Sequence, residues 1–381
     1  MKKFFSLITV LLLLTITVTA CGSNSTKDTG DAKEKTNSSS EDVPVLNVSW
    51  GNEMHTGIMY LPFIAPELFE DESIRINPIS DSQGELQKDG KTIAILKQVV
   101  TKGGSEVATL MGQKHLDIGY TSSTAMLTAY DTGTELSILC PIQADGVAIA
   151  AAKDVPYNTF DEFVKYAKES KQPIKAGYHS AVSSPRVVLE YAMKDAGLKV
   201  TEDPGDVEAD VLLVDLKGVQ NLVPSLSSGQ VELWAGPAPN PQNAESTGVG
   251  KIIATLNDLP EGKWSNFPCC VFSARNEVIE KYPEVFEALM TVTTYTADYA
   301  NENQEKTGEL LADTIGVEKD ILPKSLIKYS TEPTDRFVEG MKVYYEAMTD
   351  MGKFEGRLKD NTFEEAKDDI FKFDIVNKVR S

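Results

Sequence analysis

The sequence predicts an α/β protein built as two lobes, and three observations carry that prediction. Apolar strands alternate with helical stretches from residue 44 onward, the rhythm of βαβ units in open, largely parallel sheets with helices on both faces. A helix–turn–strand pattern occurs twice, as Met111-x-x-Lys114-x-Leu116-Asp117-Ile118 and as Leu226-x-x-Gly229-x-Val231-Glu232-Leu233, once for each lobe. A chain of 381 residues is also long enough that one core no longer grows and the mass divides.

The amino terminus stands apart. Lys2 and Lys3 precede an uncharged apolar run, Phe4 to Ala20, which has the form of a secretory leader. It ends Val18-Thr19-Ala20-Cys21, small residues before a cysteine, the pattern of the bacterial lipobox. Cys21 is then the expected lipidation site and first residue after cleavage. An uncleaved anchor is the alternative, at the short limit for a spanning helix. Either reading puts the body outside the cytoplasm. Gly22 to Asp42 is polar and lacks an apolar period, so it cannot offset the entropy of ordering. The expected order is a leader (1–20), a lipidated tether (21–43), and then the body.

Acids outnumber bases 57 to 37, for a net charge of −20. That excludes nucleic acid or an anionic membrane surface as a partner, since each requires a basic face. Cys140, Cys269 and Cys270 show no Cys-x-x-Cys spacing and read as small residues on apolar strands. Outside the cell a disulfide from Cys140 to one of the pair stays open.

The body begins with Leu46, Val48 and Trp50, which alternate as in a half-buried strand. Gly51-Asn52 breaks it, and Thr56 is placed to cap a short helix through Ile58, Met59, Leu61 and Phe63. Ile74–Ile79 is a strand, 81–91 polar and turn-rich, and Ile93–Val100 a second strand candidate. Glu106–Met111 is helical, Leu116–Tyr120 a strand, and 121–124 caps a helix to Tyr130. Strands follow at Ser137–Ile142 and Val147–Ala152. Thr159 opens an amphipathic helix with Phe160, Phe163, Val164 and Ala167 on one face. After the strand Ile174–Tyr178, Ser184, Pro185 and Gly197 mark the start and stop of a helix. Further strands are expected at Asp210–Asp215, Val231–Ala235 and Ile252–Leu256, with a short helix at Val219–Ser227. Cys269–Ser273 reads as a returning strand. Helices then run over 277–300, broken at Pro283, and over 308–314, 333–351 and 363–371.

A strand ending in Trp50, then Asn52, then His55-Thr56-Gly57 opening a helix resembles the start of the solute-binding proteins of the sulfonate, nitrate, taurine and thiamine-pyrimidine importer group. His55-Thr56-Gly57 is most similar to the thiamine-pyrimidine branch. The paired helix–turn–strand element also resembles that group, with Lys114 standing where glycine is usual. The resemblance implies a type II periplasmic-binding-protein-like fold with a hinge between lobes, lobe one from 44–155 and 268–381, and lobe two from 156–267. It implies hinge closure on a small molecule, delivery to a membrane permease driven by an ATPase, a monomer, no cofactor and no catalysis. The implied ligand is an oxyanion of the sulfonate, nitrate or taurine kind, with a pyrimidine-like heterocycle as the alternative. A sensing lipoprotein or a surface enzyme are the rival classes.

Three helix starts are expected to face the cleft, because free N–H groups and hydroxyls at such ends receive anions or ring nitrogens. They supply Asn52, His55 and Thr56, then Thr121, Ser122 and Ser123, then His179, Ser180 and Ser183, with Asn240 from the Pro/Asn-rich segment. Trp50, Tyr120, Tyr178 and Trp234 end strands and are expected to wall the ligand. Any single serine or threonine is commonly a cap alone, but three such starts after strands, in both halves, favour a shared cleft; each aromatic is equally well explained as core filling. Arg186 is expected to face solvent. The histidines His55, His115 and His179 lack metal-ligand spacing, so no metal site is expected. No Gly-x-Ser-x-Gly, phosphate-loop or His-Glu-x-x-His motif is present.

Overall fold

The computed structural model describes residues 43–381; the expected leader, Cys21 and tether lie outside the described residues. Strands β1 (Val45–Ser49), β2 (Ile74–Ser80), β3 (Gln83–Lys88), β4 (Lys91–Gln98), β5 (Ile118–Ser122) and β6 (Leu136–Ala144) belong to one sheet. β7 (Val147–Ala152), β8 (Ile174–Tyr178), β9 (Val200–Thr201), β10 (Val211–Asp215), β11 (Leu233–Pro237) and β12 (Gly250–Thr255) form a second. β13 (Pro268–Arg275) and β14 (Lys328–Tyr329) return to the first. The strand orders are β14-β6-β13-β5-β1-β4-β3-β2 and β12-β7-β11-β8-β10-β9.

Both sheets are mixed rather than largely parallel. β1 lies parallel to β4 and β5, and β8, β9, β10 and β11 run parallel in the second sheet. The strands next to each crossing, β6, β7, β12 and β13, are antiparallel to their neighbours. The stretch expected to be only turns contains β3, the middle of an antiparallel meander with β2 and β4. Its alternation is nearly silent in sequence: only Gly84 and Leu86 face inward, between polar neighbours.

The chain changes sheet at Asp145–Gly146, whereas the lobe boundary expected from sequence stood at 155, and it returns through residues 256–267. Two hydrogen bonds tie these crossings together: Asp145 N–H donates to Phe267 O at 2.9 Å, and Phe267 N–H to Asp145 Oδ1 at 3.0 Å. Helix Asp335–Asp350 packs on β13 and on helix Ser184–Asp195, so it touches material of both sheets. Its Gly340 sits where a Cβ would lie 2.3 Å from Pro268. Helix Pro283–Glu302 covers the first sheet through Val285, Phe286, Leu289 and Val292. Among the described residues no helix is long and apolar enough to cross a membrane.

The two repeat elements share a backbone. Lys114 has φ 60° and Gly229 φ 69°, both left-handed. In each, two successive N–H groups beyond the turn return to one helical carbonyl, that of Leu110 or of Ser225. Lysine therefore occupies a position where a Cβ costs about 1–2 kcal/mol. Lys114→Gly is expected to stabilise the protein by about 0.5–1 kcal/mol, after the extra freedom glycine gives the unfolded chain. A thermal midpoint unchanged or lowered would refute that account. The Lys114–Glu277 ion pair it removes is exposed and weighs little.

Candidate functional site

A cleft of about 560 Å³ lies between the two sheets. The loop after β1, the segment 100–107 and the end of β5 line it on one side. His179, Ser183, Gln220, Asn240 and Asn243 line the other, with Cys269 and Cys270 of β13 between them. The size suits a small organic molecule.

The loop after β1 is held by its own carboxylate. Glu53 Oε2 accepts from His55 N–H, and Oε1 accepts from Thr56 N–H and from the Thr56 hydroxyl. Thr56 Oγ1 in turn accepts from Gly51 N–H at 2.8 Å. Thr56 thus precedes the short 3-10 helix Gly57–Tyr60 without capping it by its side chain, because its hydroxyl is turned back into the loop.

The other two expected helix starts meet each other. Ser122 Oγ accepts from Ser184 N–H at 2.9 Å, and Thr124 donates to Val182 O at 2.7 Å. Ser183, rather than Ser184, is the residue before helix Ser184–Asp195. Ser180 Oγ accepts from Ser105 N–H at 3.2 Å and lies 2.7 Å from Ser105 Oγ. These hydroxyls bind one side of the cleft to the other, so much of the hydrogen-bonding capacity expected for a ligand is spent between the lobes.

Of the residues singled out from sequence, Asn52, His55, Thr56, Tyr120, Thr121, Ser122, His179, Ser183 and Asn240 line the cleft. Trp50, Ser123, Tyr178, Ser180 and Trp234 do not. Trp50 packs edge-on to Tyr60 and against Phe63, and Trp234 is fully buried among Leu222, Leu226 and Val231. Trp234 on β11 and Trp50 just past the end of β1 both carry large apolar surfaces covered by helical segments, and burial wins. Tyr120 reaches the cleft wall, but its hydroxyl bonds Thr293 and its ring stacks on Phe272. Tyr178 lies under the Arg186 guanidinium, 4.1 Å away. Arg186 is itself buried, paired with Glu190 and Glu202, not solvent-facing. His115 is exposed in its turn.

Sequence reasoning missed Glu53, Lys102, Glu106, the Gly103-Gly104 pair, Gln220 and the cysteines as cleft residues. The glycine pair just before a helical run was a usable signal: Gly103 has φ 144°, and a Cβ there would meet Ser180 and His179 at van der Waals distance. Cys140, Cys269 and Cys270 are all buried free thiols, with no disulfide among them. Cys140 lies in the core, while the other two reach the cleft.

The imidazoles differ in charge. His55 is buried, which by itself lowers its pKa, but Cys269, Glu53 and the Gly146 carbonyl outweigh burial and raise it to about 9. The Cys269 thiol is held well below its ordinary range, first by the hydrogen bond from Cys270, and Cys270 is pushed up in turn. His179 is lowered to about 4, first by burial and then by the charge of His55, so it is neutral at pH 7. Its Nδ1 is buried with no partner among the described residues.

A family model described as the NMT1-like family matches residues 78–315, more than half of the chain. The uncharacterized protein MJ1180 of Methanocaldococcus jannaschii is 26% identical over 148 residues, 38% of this chain and 92% of that protein. The ligand-binding component of an ABC-type import system from Staphylococcus aureus superposes with a TM-score of 0.67 at 14% identity, covering 89% of this chain and 100% of that one. The periplasmic nitrate-binding protein NrtA from Synechocystis PCC 6803 also gives 0.67 at 14% identity, covering 89% and 88%. At that identity the likeness establishes the fold, that of the periplasmic binding proteins.

Proposed function

The chain belongs to the NMT1-like family, and from that premise and its cleft we propose that it is the extracytoplasmic solute-binding lipoprotein of an ABC importer. It captures one small molecule between its lobes and presents it to a permease and its ATPase, tethered through the lipid on Cys21. The observation that carries this reading is the large cleft shared by both sheets, with the crossings at 145–146 and 256–267 and the helix Asp335–Asp350 joining its walls. Names of structural relatives, one of an import-system ligand-binding component and one of a nitrate-binding protein, support the same role. Lobe one is taken as 44–155 with 268–381 and lobe two as 156–267, moved at the first crossing to 145–146 to follow the sheets.

For the cargo, the cleft favours a neutral or weakly polar heterocycle of pyrimidine size over an oxyanion. The carboxylates of Glu53 and Glu106 line it beside one lysine, Lys102. Ser184 N–H, the donor an anion would use at its helix start, is already bonded. The unpartnered Nδ1 of neutral His179 and the amides of Asn240, Asn243 and Gln220 suit ring nitrogens and carbonyls. Monomeric action and the absence of catalysis belong to the same reading.

The test is a thermal-shift and calorimetric screen of pyrimidines, sulfonates, taurine and nitrate. A ligand at a hundred times its Kd stabilises by about 2.7 kcal/mol, a rise of a few degrees. The expected result is binding of a pyrimidine-like compound, weakened at least ~10-fold, or about 1.4 kcal/mol, by His179→Ala. Binding of sulfonate or nitrate instead would overturn the cargo assignment. Binding of any class undisturbed by His179→Ala and Asn240→Ala would overturn the cleft.

A further inference from the structure

We propose that His55, Cys269 and Cys270 form a binding site for a thiophilic metal ion, of the Zn(II) or Cu(I) class, with one coordination position open to the cleft. The three side chains are 1%, 2% and 7% exposed, and all three line the cleft. Their donor atoms lie within 4.8 Å of one another. Cys269 Sγ and Cys270 Sγ are 3.9 Å apart, and Cys270 Sγ is 4.0 Å from His55 Nδ1. Ligands about 2.0–2.3 Å from a tetrahedral ion are themselves separated by about 3.5–3.8 Å. The three atoms therefore surround an ion-sized space, and closing it on an ion takes adjustments of at most about 1 Å.

Two features show that the arrangement is built rather than incidental. Adjacent residues of a regular strand point to opposite faces, so neighbouring cysteines do not normally converge. Here the pairing of β13 with β6 passes from Pro268↔Ala144 to Cys270↔Gln143, two steps on one strand against one on the other. That bulge removes the alternation and turns both sulfurs to one side. The second feature is the histidine's outer nitrogen. Nε2 of His55 lies 3.0 Å from the Gly146 carbonyl, which can only accept, so Nε2 carries the hydrogen and donates it. Once an ion displaces the proton on Nδ1, that nitrogen's lone pair is directed toward the sulfurs. A ring nitrogen fixed by a backbone carbonyl while the other faces the ion is the usual support of a metal-bound histidine.

Two thiolates and an imidazole select soft or borderline ions over magnesium or calcium. Binding a divalent ion displaces two protons to solvent, one from Cys270 and one from the His55–Cys269 pair, and leaves two thiolates, a neutral imidazole and a site of no net charge. The fourth position opens into the cleft, where water or a donor atom of the solute completes the shell. The inference rests on the cleft but not on the identity of its organic cargo.

The test uses the full chain in detergent, reduced and metal-free, titrated with Zn(II) alone against a chromophoric chelator, and with Co(II) as a spectroscopic probe. One equivalent is expected per chain, with thiolate-to-cobalt charge-transfer absorption. Cys269→Ser or Cys270→Ser is expected to weaken binding by at least ~10-fold, and His55→Ala likewise, while Cys140→Ser leaves it unchanged. Because a variant could fail to fold, the wild-type chain is also alkylated with and without Zn(II) and the labelled peptides are mapped. Protection confined to Cys269 and Cys270 supports the site. No stoichiometric ion, or protection of neither cysteine, overturns it. An organic solute bound by a chain that holds no ion would sink this inference alone, and an ion held by a chain that binds no solute would sink the transport reading alone.

Discussion

Gly146→Ala is expected to lower stability by about 3–4 kcal/mol, an effect carried by one added methyl group. Gly146 sits where the chain leaves the first sheet for the second, with φ +75°. A side chain in that left-handed region costs about 1–2 kcal/mol before any contact is counted. The added Cβ would then lie 2.3 Å from Ile327 Cγ1 and 2.8 Å from His55 Nε2, closer than real atoms approach. Overpacking of that kind adds about 1–3 kcal/mol. The Gly146 carbonyl accepts from Ala238 N–H at 2.9 Å and from His55, so any shift also loosens one wall of the cleft. Thermal unfolding of Gly146→Ala beside Gly90→Ala separates the two contributions. Gly90 has φ +76° and nothing within 4 Å of its would-be Cβ, so it reports the backbone cost alone. Equal midpoints for the two variants would rule out the packing argument.

Asp131→Ala is expected to cost a similar amount, about 3–5 kcal/mol, far from the cleft. Asp131 ends helix Ser123–Asp131 and is buried. Its carboxylate accepts from the backbone N–H groups of Glu355, Gly356 and Leu358 at 2.8–3.1 Å, while its carbonyl accepts from Arg357 N–H at 3.0 Å. The carboxylate thus anchors the loop after helix Asp335–Asp350 to the first sheet's lobe. Alanine leaves three donors without an acceptor, each costing about 1–3 kcal/mol when water cannot replace it. Asp131→Asn keeps one oxygen and is expected to fall between alanine and the parent. Hydrogen exchange supplies the local readout: the amides of 355–358 should lose protection first in Asp131→Ala. Protection unchanged there, with stability lost elsewhere, would show that the loop is held by something else.

How far the sequence could be read depended on whether the signal was local. Pro185 and Gly197 bounded a helix observed as Ser184–Asp195 because the first-turn proline and the left-handed glycine act on their own neighbours. The repeat around Lys114 and Gly229 was legible despite the lysine, since the apolar spacing on both sides was intact. β3 was missed because one inward leucine and a glycine make no visible period. Trp50 and Trp234 were misplaced for a different reason. A strand end is exposed or buried according to what packs over it, and Tyr60, Phe63 and Leu222 come from other segments.

The sequence by itself determined the alternation of strands and helices, the two-lobed plan and the residues at the helix starts, because each follows from short-range periodicity and capping. Only the tertiary structure decided which hydroxyls face each other across the lobes, and that Cys269 and Cys270 share a side with His55. Those depend on a strand bulge and on a loop 214 residues earlier in the chain, His55 against Cys269. Side-chain direction across such a separation is set by register and crossing geometry, which no local pattern of residue types encodes.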